Sequence, residues 1–153
     1  MARLILASSS PRRRELLEQL SLVFDIYSPD IDESVQAGES VAHYVERLAC
    51  AKAEAVQLQY PDAIVIAADT SLGVDQEILG KPESKQHAFE MWGKISGRKH
   101  DVYTAVCVRT NTQISSIVVR TEVEFQHLSL NDMEAYWATS EPIGKAGAYA
   151  IQG

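Results

Sequence analysis

The sequence carries its densest candidate chemistry near the N-terminus, where three serines, a proline and three arginines follow one another in Ser8–Arg14. The preceding apolar run, Leu4–Ala7, is typical of a short buried strand. Ser10 is suited to cap a helix that has Pro11 as its first residue. A helix N-terminus attracts anions and disfavours cations, so the arginines indicate either a bound phosphate-rich ligand or a solvated first turn. Arg13 starts on the inward-facing stripe of the predicted helix.

Two charged residues further along the chain are placed unusually. Lys52 falls in the middle of the apolar stripe of a predicted helix, Glu39–Tyr60. A buried ammonium needs a carboxylate, a phosphate or an exit to water, so Lys52 is either a ligand-site residue or a lysine that reaches solvent past the core edge. Asp69 and Thr70 directly follow the apolar run 63–68. An acid there could bind Mg²⁺ or activate a water, although aspartate is also a common turn former.

Two short segments allow a functional and a purely structural interpretation. Lys81 lies in a Gly-Lys-Pro turn, and the acidic segment Asp30–Glu33 lies in a loop; both are usually solvated in proteins. The four histidines lack metal-ligand spacing, and neither the G-x-x-x-x-G-K-[ST] nor the G-x-S-x-G pattern occurs. Taken together, the basic loop, the carboxylates and the two lysines are the equipment for phosphoryl or nucleotidyl chemistry.

Alternating strand and helix patterns predict the elements that must position these residues. Strands are predicted at Leu4–Ala7, Val23–Tyr27, Ala63–Ala68, Asp101–Arg109 and Ile114–Gln126, with a hairpin at Leu72–Leu79 that turns at Asp75-Gln76. Helices are predicted from Ser10 to near Ser21, with Leu16, Leu17 and Leu20 on one face, and at Glu39–Tyr60, Ser84–Ser96 and Leu130–Thr139. The order predicts one α/β domain over residues 1–153, with a mixed twisted sheet flanked by helices.

Composition narrows the class of protein. The net charge of −7 argues against a general nucleic-acid binder, because such binding depends on basic residues that neutralise phosphates. No apolar run approaches the ~20 residues that span a bilayer, and the N-terminus lacks the pattern of a signal peptide. Cys50 and Cys107 are not in a metal-binding spacing, so we expect reduced thiols and a cytoplasmic location.

Six motifs, in order and spacing, resemble the Maf (septum formation inhibitor) family of nucleoside triphosphate pyrophosphatases. They are Ala7–Arg13, Ile31–Glu33, Leu48–Ala53, Ala68–Thr70, Gly80–Pro82 and Lys145–Gly153, and the likeness runs from residue 3 to the last residue. The resemblance implies a Maf/ITPase-like fold with a central nucleotide-binding cleft. It further implies hydrolysis of a nucleoside triphosphate to the monophosphate and pyrophosphate, with a divalent cation (Mg²⁺, Mn²⁺ or Co²⁺).

The resemblance also implies roles for individual residues. Asp69 matches the family's proton acceptor, Glu33 an active-site acid, and Lys52 and Lys81 the lysines of the cleft. Glu33 and Asp69 are then the candidate metal ligands, and the sequence leaves open whether Asp69 serves mainly as base or as ligand.

Substrate contacts are implied in the same way. The residues that match the phosphate-facing loop are Ser8, Ser10, Arg12 and Arg13. Arg12, Thr70 and Gln152 match the set associated with dTTP and UTP hydrolysis. Independently of the resemblance, Arg14 lies about a third of a turn beyond the inward-facing Arg13 on the predicted helix and is expected to be solvated.

Two alternatives stay open at the level of the sequence. One is a pyrophosphatase for non-standard purine triphosphates such as ITP or XTP; the other is a non-catalytic nucleotide-binding regulator of septum formation. Family chains normally continue beyond the Gln-Gly with a C-terminal segment, which this sequence lacks. The expected partners are a nucleoside triphosphate and, as the resemblance allows, a second copy in a homodimer, with no nucleic acid and no membrane.

Overall fold

The computed structural model describes residues 3–149 and confirms the predicted mixture of strands and helices. The strands are β1 (Leu4–Leu6), β2 (Asp25–Ile26), β3 (Ile64–Val74), β4 (Glu77–Leu79), β5 (Lys99–Arg109) and β6 (Ile114–Glu124). The helices are α1 (Pro11–Gln19), α2 (Val41–Gln59), α3 (Lys85–Ile95) and α4 (Leu130–Trp137), with a 3₁₀ turn at Ala146–Ala148. Among residues 3–149, no helix is both long and apolar enough to cross a membrane.

The strands form one mixed sheet in the order β2-β1-β3-β5-β6, and β4 pairs with β3 beside this path. β1 runs parallel to β2 and to β3, with Leu4 opposite Ile64 and Leu6 opposite Ile66. β3 and β4 form an antiparallel hairpin in which Leu72 lies opposite Leu79. The mixed sheet with helices agrees with the predicted fold class.

The chain folds into two compact units. The first contains the described residues up to Asp69 together with Thr104–Val119. The second contains Thr70–Tyr103 together with the described residues from Arg120 onward. β3, β5 and β6 each contribute residues to both units. That residues 1–153 form one domain stays a prediction.

The first unit is built around α2. Ser40 caps this helix by accepting a hydrogen bond of 3.2 Å from the backbone N–H of His43, as serine at a helix start commonly does. The predicted apolar stripe of α2 is buried, with Val45, Leu48 and Val56 at most 1% exposed. Burying such side chains stabilises a fold by about 1.5–3 kcal/mol each, so α2 is held firmly in place.

Helix α1 differs from its prediction. None of its nine residues is buried, and Leu16 and Leu20, expected on one apolar face, are 44% and 67% exposed. A helix this short has few turns on which to build an apolar stripe. Its start is therefore fixed by the cap of Ser10 and by contacts of Arg13 rather than by burial.

The second unit has its own apolar core. The residues that share it come from β3, β4, α3 and the 3₁₀ turn: Leu72, Val74, Leu79, Ala88, Met91, Trp92, Ile95 and Ala148. Trp92 Nε1 donates a hydrogen bond of 3.2 Å to the carbonyl of Ala148, which ties the turn to α3. Gly147 has a φ of +67°, and a Cβ there would overlap the side chain of Leu72. Glycine is therefore required at this close approach.

Two strand predictions need correction. β3 does not end at Ala68 but continues to Val74, so that Asp69 and Thr70 lie inside the strand; pairing with β4 extends it. β2 covers two residues rather than Val23–Tyr27, and Val23 is 94% exposed. The hairpin prediction is confirmed, since Asp75 and Gln76 both have the positive φ that tight hairpin turns favour.

Candidate active site

The serine–arginine loop of the first unit is held together by its own side chains. Ser10 caps α1 by accepting from the N–H of Arg13 at 3.4 Å, which confirms the predicted cap. Ser8 accepts from the N–H of Ser10 at 3.1 Å and from Nη1 of Arg13 at 3.4 Å. Nη1 of Arg13 also donates to the carbonyl of Ala68 at 3.0 Å. The loop between β1 and α1 is thus fastened to β3 by one guanidinium.

The three arginines of this loop have different surroundings. Arg13 is half-buried, and burial lowers the pKa of its guanidinium while Asp69 and Glu33 favour its charged form. Arg12 is exposed and lies 3.7 Å from Glu15. Arg14 is exposed and pairs with Glu18 on its own helix at 2.9 Å, in agreement with the prediction that it is solvated. Of the three arginines, Arg13 is therefore the one whose charge is felt by Asp69 and Glu33.

The buried lysine has found carboxylate partners. Lys52, 9% exposed, projects from α2 and donates to Oδ1 of Asp69 on β3 at 3.0 Å. Oε1 of Glu33 lies 3.3 Å from the same ammonium. A carboxylate, one of the partners that the sequence allowed, is thus observed at Lys52.

Asp69 is the most perturbed acid of this cluster. Burial raises the pKa of Asp69 above its ordinary value, and the charge of Glu33 raises it further, whereas Lys52 and Arg13 lower it. Its second oxygen, Oδ2, is buried and has no hydrogen-bond partner among residues 3–149. A buried carboxylate oxygen without a donor is costly unless something occupies it in the working protein. The structure therefore offers one free acceptor beside two cations.

Glu33 and Asp69 could supply two carboxylate ligands to a divalent cation. Their oxygens converge on one positive charge, the ammonium of Lys52. Within the part of the chain that the structure describes, no group of three or more His, Cys, Asp or Glu side chains could hold a metal by itself. Mg²⁺ is commonly held by one or two carboxylates, with phosphate oxygens and waters completing its shell. The carboxylate pair suits that mode of binding.

The remaining candidates belong to the second unit or lie outside the described residues. Thr70 follows Asp69 in β3 and belongs to the second unit, as does the exposed Lys81. Lys81 follows Gly80, whose carbonyl accepts a hydrogen bond of 2.9 Å from Gly147. Gln152 lies outside the described residues.

Sequence reasoning missed the residues that hold the loop of Glu33. The phenol of Tyr44 donates to the carbonyl of Glu33 at 2.6 Å, and Nη2 of Arg47 donates to that of Ser34 at 2.9 Å. A signal existed, because Tyr44 lies two helical turns before Lys52 on the same stripe of α2. The pattern showed that Tyr44 points inward, but not what its hydroxyl meets.

This fold is found in a solved structure of distant sequence. The chain is similar to the structure of the Staphylococcus aureus Ham1 protein, with a TM-score of 0.54 and 17% identity, over 79% of this chain and 69% of that chain. At this level of identity the likeness supports the α/β fold alone.

Sequence comparison identifies the family. Residues 3–153 match the family described as Maf-like protein, and the chain belongs to that family. It is 63% identical to a dTTP/UTP pyrophosphatase of Acinetobacter baylyi, over 97% of this chain and 81% of that protein. It is 49% identical to a dTTP/UTP pyrophosphatase of Myxococcus xanthus, over 98% of this chain and 76% of that protein. The resemblance derived from the six motifs is thereby confirmed.

Proposed function

We propose that this protein is a nucleoside triphosphate pyrophosphatase that hydrolyses dTTP and UTP to the monophosphate and pyrophosphate. The observation that carries the proposal is the buried Asp69, which has one oxygen on Lys52 and the other without a hydrogen-bond partner in the described part of the chain. The names of the relatives at 63% and 49% identity support the choice of substrate. The proposal includes a cytoplasmic location, in keeping with cysteines that form no disulfide framework.

In the proposed reaction, Asp69 accepts the proton of a water that attacks the α-phosphorus in line with the departing pyrophosphate. A general base must keep a free acceptor atom within hydrogen-bond reach of that water, and Oδ2 is such an atom. The raised pKa of Asp69, caused chiefly by burial, makes the carboxylate a stronger base than an exposed aspartate. Lys52 keeps Asp69 in place through Oδ1.

The negative charge of the triphosphate is proposed to be met by the serine–arginine loop. Arg13 presents a guanidinium beside the N-terminus of α1, where unpaired backbone N–H groups attract anions. Ser8 and Ser10 shape this loop, and Arg12 is exposed to solvent at its rim. Because Ser8 and the carbonyl of Ala68 already hold Arg13, little ordering of this side chain is needed when phosphate binds.

A divalent cation, Mg²⁺, Mn²⁺ or Co²⁺, is part of the proposal, with Glu33 and Asp69 as its candidate ligands. Because Asp69 cannot serve fully as both ligand and base, Glu33 would carry most of the metal binding while Oδ2 of Asp69 accepts the proton. When bound, such a cation neutralises charge on phosphate oxygens and on the leaving pyrophosphate. Glu33 is the more exposed of the two carboxylates, its side chain being 47% exposed, and can turn towards such an ion from solvent. Lys81, Thr70 and Gln152 keep the roles that the family resemblance implies, with Arg12, Thr70 and Gln152 selecting the pyrimidine substrate.

The proposal is tested by measuring pyrophosphate release from dTTP, UTP, the other common nucleoside triphosphates, ITP and XTP, each with Mg²⁺, Mn²⁺ and Co²⁺. We expect release from dTTP and UTP that requires the metal. Asp69→Asn should abolish turnover and leave calorimetric binding of dTTP intact, whereas the matched control Asp62→Asn, at an exposed carboxylate of the same unit, should retain wild-type rates.

Three results would overturn parts of this proposal. Preference for ITP or XTP would contradict the substrate, and binding of dTTP without pyrophosphate release under any metal would indicate a regulator rather than an enzyme. Wild-type turnover by Asp69→Asn would exclude Asp69 as the base.

A further inference from the structure

The loop that carries Glu33 is fastened to α2 by a group of side chains that we term the loop clamp, consisting of Tyr44, Arg47 and Glu39. Tyr44 donates to the carbonyl of Glu33 at 2.6 Å, and Arg47 donates to that of Ser34 at 2.9 Å. Arg47 also forms a forked pair with the two carboxylate oxygens of Glu39, at 2.7 and 2.8 Å. Two successive carbonyls of the loop are therefore held by one helix.

Glu33 depends on such support because its own side chain is little packed. That side chain is 47% exposed, and its carboxylate lies 3.3 Å from Lys52, a longer approach than the 3.0 Å of Asp69. A half-exposed glutamate loses side-chain entropy when it is confined to one geometry. Fixing its backbone reduces the number of positions that the carboxylate can sample.

Tyr44 is suited to this task because its side chain is buried and its hydroxyl is bound to the loop. The residue is 8% exposed, so a phenol without an acceptor would be costly there. The guanidinium of Arg47 lies 5.6 Å from the centre of its ring and covers one face. The ring and its hydroxyl are thus held in one orientation, with the carbonyl of Glu33 as the acceptor.

The face of α2 that carries Tyr44 also carries Lys52, the ion-pair partner of Glu33. Tyr44, Leu48 and Lys52 recur every four residues and share one stripe of the helix. Tyr44 sets the backbone of Glu33 and Lys52 meets its carboxylate, so one rigid helix fixes both ends of that residue. A hydroxyl two turns away from the ammonium is therefore coupled to it through Glu33.

We propose that Tyr44 is a positioning residue for Glu33, and that through Glu33 it sets the rate of pyrophosphate release. The second half of this inference rests on the proposed function; the first half does not. Removing the hydroxyl should leave the active-site side chains present and allow the loop around Glu33 to move.

The test combines single and double variants assayed for pyrophosphate release from dTTP. Tyr44→Phe should lower kcat roughly fivefold, the equivalent of one hydrogen bond of about 1 kcal/mol, with a smaller change in KM. In a background of Glu33→Gln, the same change should have no further effect on kcat, because the group that it positions is already gone. An equal loss in both backgrounds would overturn the proposal.

Tyr60→Phe is the matched control. Tyr60 lies at the C-terminal end of α2, and its hydroxyl has no hydrogen bond to any residue in the described part of the chain. The variant removes the same atom from the same unit and should retain the wild-type kcat. A fivefold loss in Tyr60→Phe as well would mean that removal of any such hydroxyl is harmful, and would contradict a specific role of Tyr44.

Amide hydrogen exchange separates the two halves of the inference. In Tyr44→Phe the amides of Ser34 and Gln36, which donate to the side chains of Asp32 and Glu39 at 2.9 and 3.1 Å, should exchange roughly fivefold faster than in wild type, whereas Tyr60→Phe should leave them unchanged. If the wild-type protein released no pyrophosphate from any nucleotide, the proposed function would fail, and exchange would still decide on positioning. Unchanged exchange in Tyr44→Phe would overturn the positioning role whatever the activity.

Discussion

Lys52 and Asp69 form a hydrogen-bonded ion pair of 3.0 Å with both side chains almost buried, 11% and 10% exposed. The pair joins α2 to β3 inside the first unit. Two charges so far from water stabilise a fold only through each other and through further partners. Glu33 is a further partner of Lys52, whereas Oδ2 of Asp69 has none among residues 3–149.

This asymmetry predicts that Lys52→Met and Asp69→Asn lower the free energy of unfolding by different amounts. Lys52→Met should destabilise the protein by about 3 kcal/mol, because it leaves a buried carboxylate without its cation. Asp69→Asn should destabilise the protein less, because the ammonium of Lys52 still has the carboxylate of Glu33 as a partner. Urea unfolding of both variants measures the difference. Lys85→Met, at a half-exposed pair with Glu134, should stay within about 0.5 kcal/mol of wild type; equal losses in the Lys52 and Asp69 variants would contradict the asymmetry.

The loop clamp predicts a pH-dependent contribution to stability. Hydrogen bonds from Arg47 lower the pKa of Glu39 from its ordinary value to about 2. A carboxyl whose pKa is depressed in the folded state stabilises above its unfolded pKa of 4.5, and this contribution is lost as the pH falls towards 2. Glu39→Gln should therefore be less stable than wild type at pH 7, and the difference should shrink below pH 4.5. Urea midpoints across this range test the sign, and a difference that grows with acid would contradict it.

Gly147 predicts a large effect from a single methyl group. Gly147→Ala would place a Cβ against Leu72 and force alanine to a φ of +67°, so we expect a loss of about 2 kcal/mol or more. Gly93→Ala is the control, because the exposed Gly93 lies in α3 and its Cβ would meet nothing within 4 Å. Alanine should stabilise that helix by about 0.5–1 kcal/mol. Thermal unfolding of both variants should therefore give shifts of opposite sign.

The two cysteines should differ sharply in reactivity. Cys107 on β5 is buried, and burial together with the neighbouring Cys50 raises the pKa of its thiol to about 12. Cys50 on α2 is partly exposed. An alkylating reagent should therefore modify Cys50 in the native protein and Cys107 only after unfolding. Mass spectrometry of peptides after brief labelling would measure this order, and equal labelling of both would contradict it.

The placement of several candidate-site residues was predictable because it depends on short sequence patterns. The cap by Ser10 follows from a serine before a proline, and the inward position of Lys52 follows from the period of α2. The contact between Tyr44 and Glu33 was not predictable, because it joins a helix to an irregular loop whose path no periodicity describes.

Tertiary pairing explains the errors in the elements themselves. Asp69 and Thr70 resemble a strand end by composition, yet pairing with β4 extends β3 past them. Leu16 and Leu20 resemble a core stripe, yet α1 buries neither. In both cases the residue pattern was described correctly, but contacts with neighbouring elements determine the length of the strand and the burial of the side chains.

β3 is fixed at both ends by ladders of opposite kind, parallel to β1 at Ile64–Ile66 and antiparallel to β4 at Leu72–Val74. Asp69 lies between these two fixed points. A shift of one residue turns every side chain of a strand to its other face. The segment from Ile66 to Asp69 can therefore not change in length, since one residue inserted or deleted there would point the carboxylate of Asp69 away from Lys52.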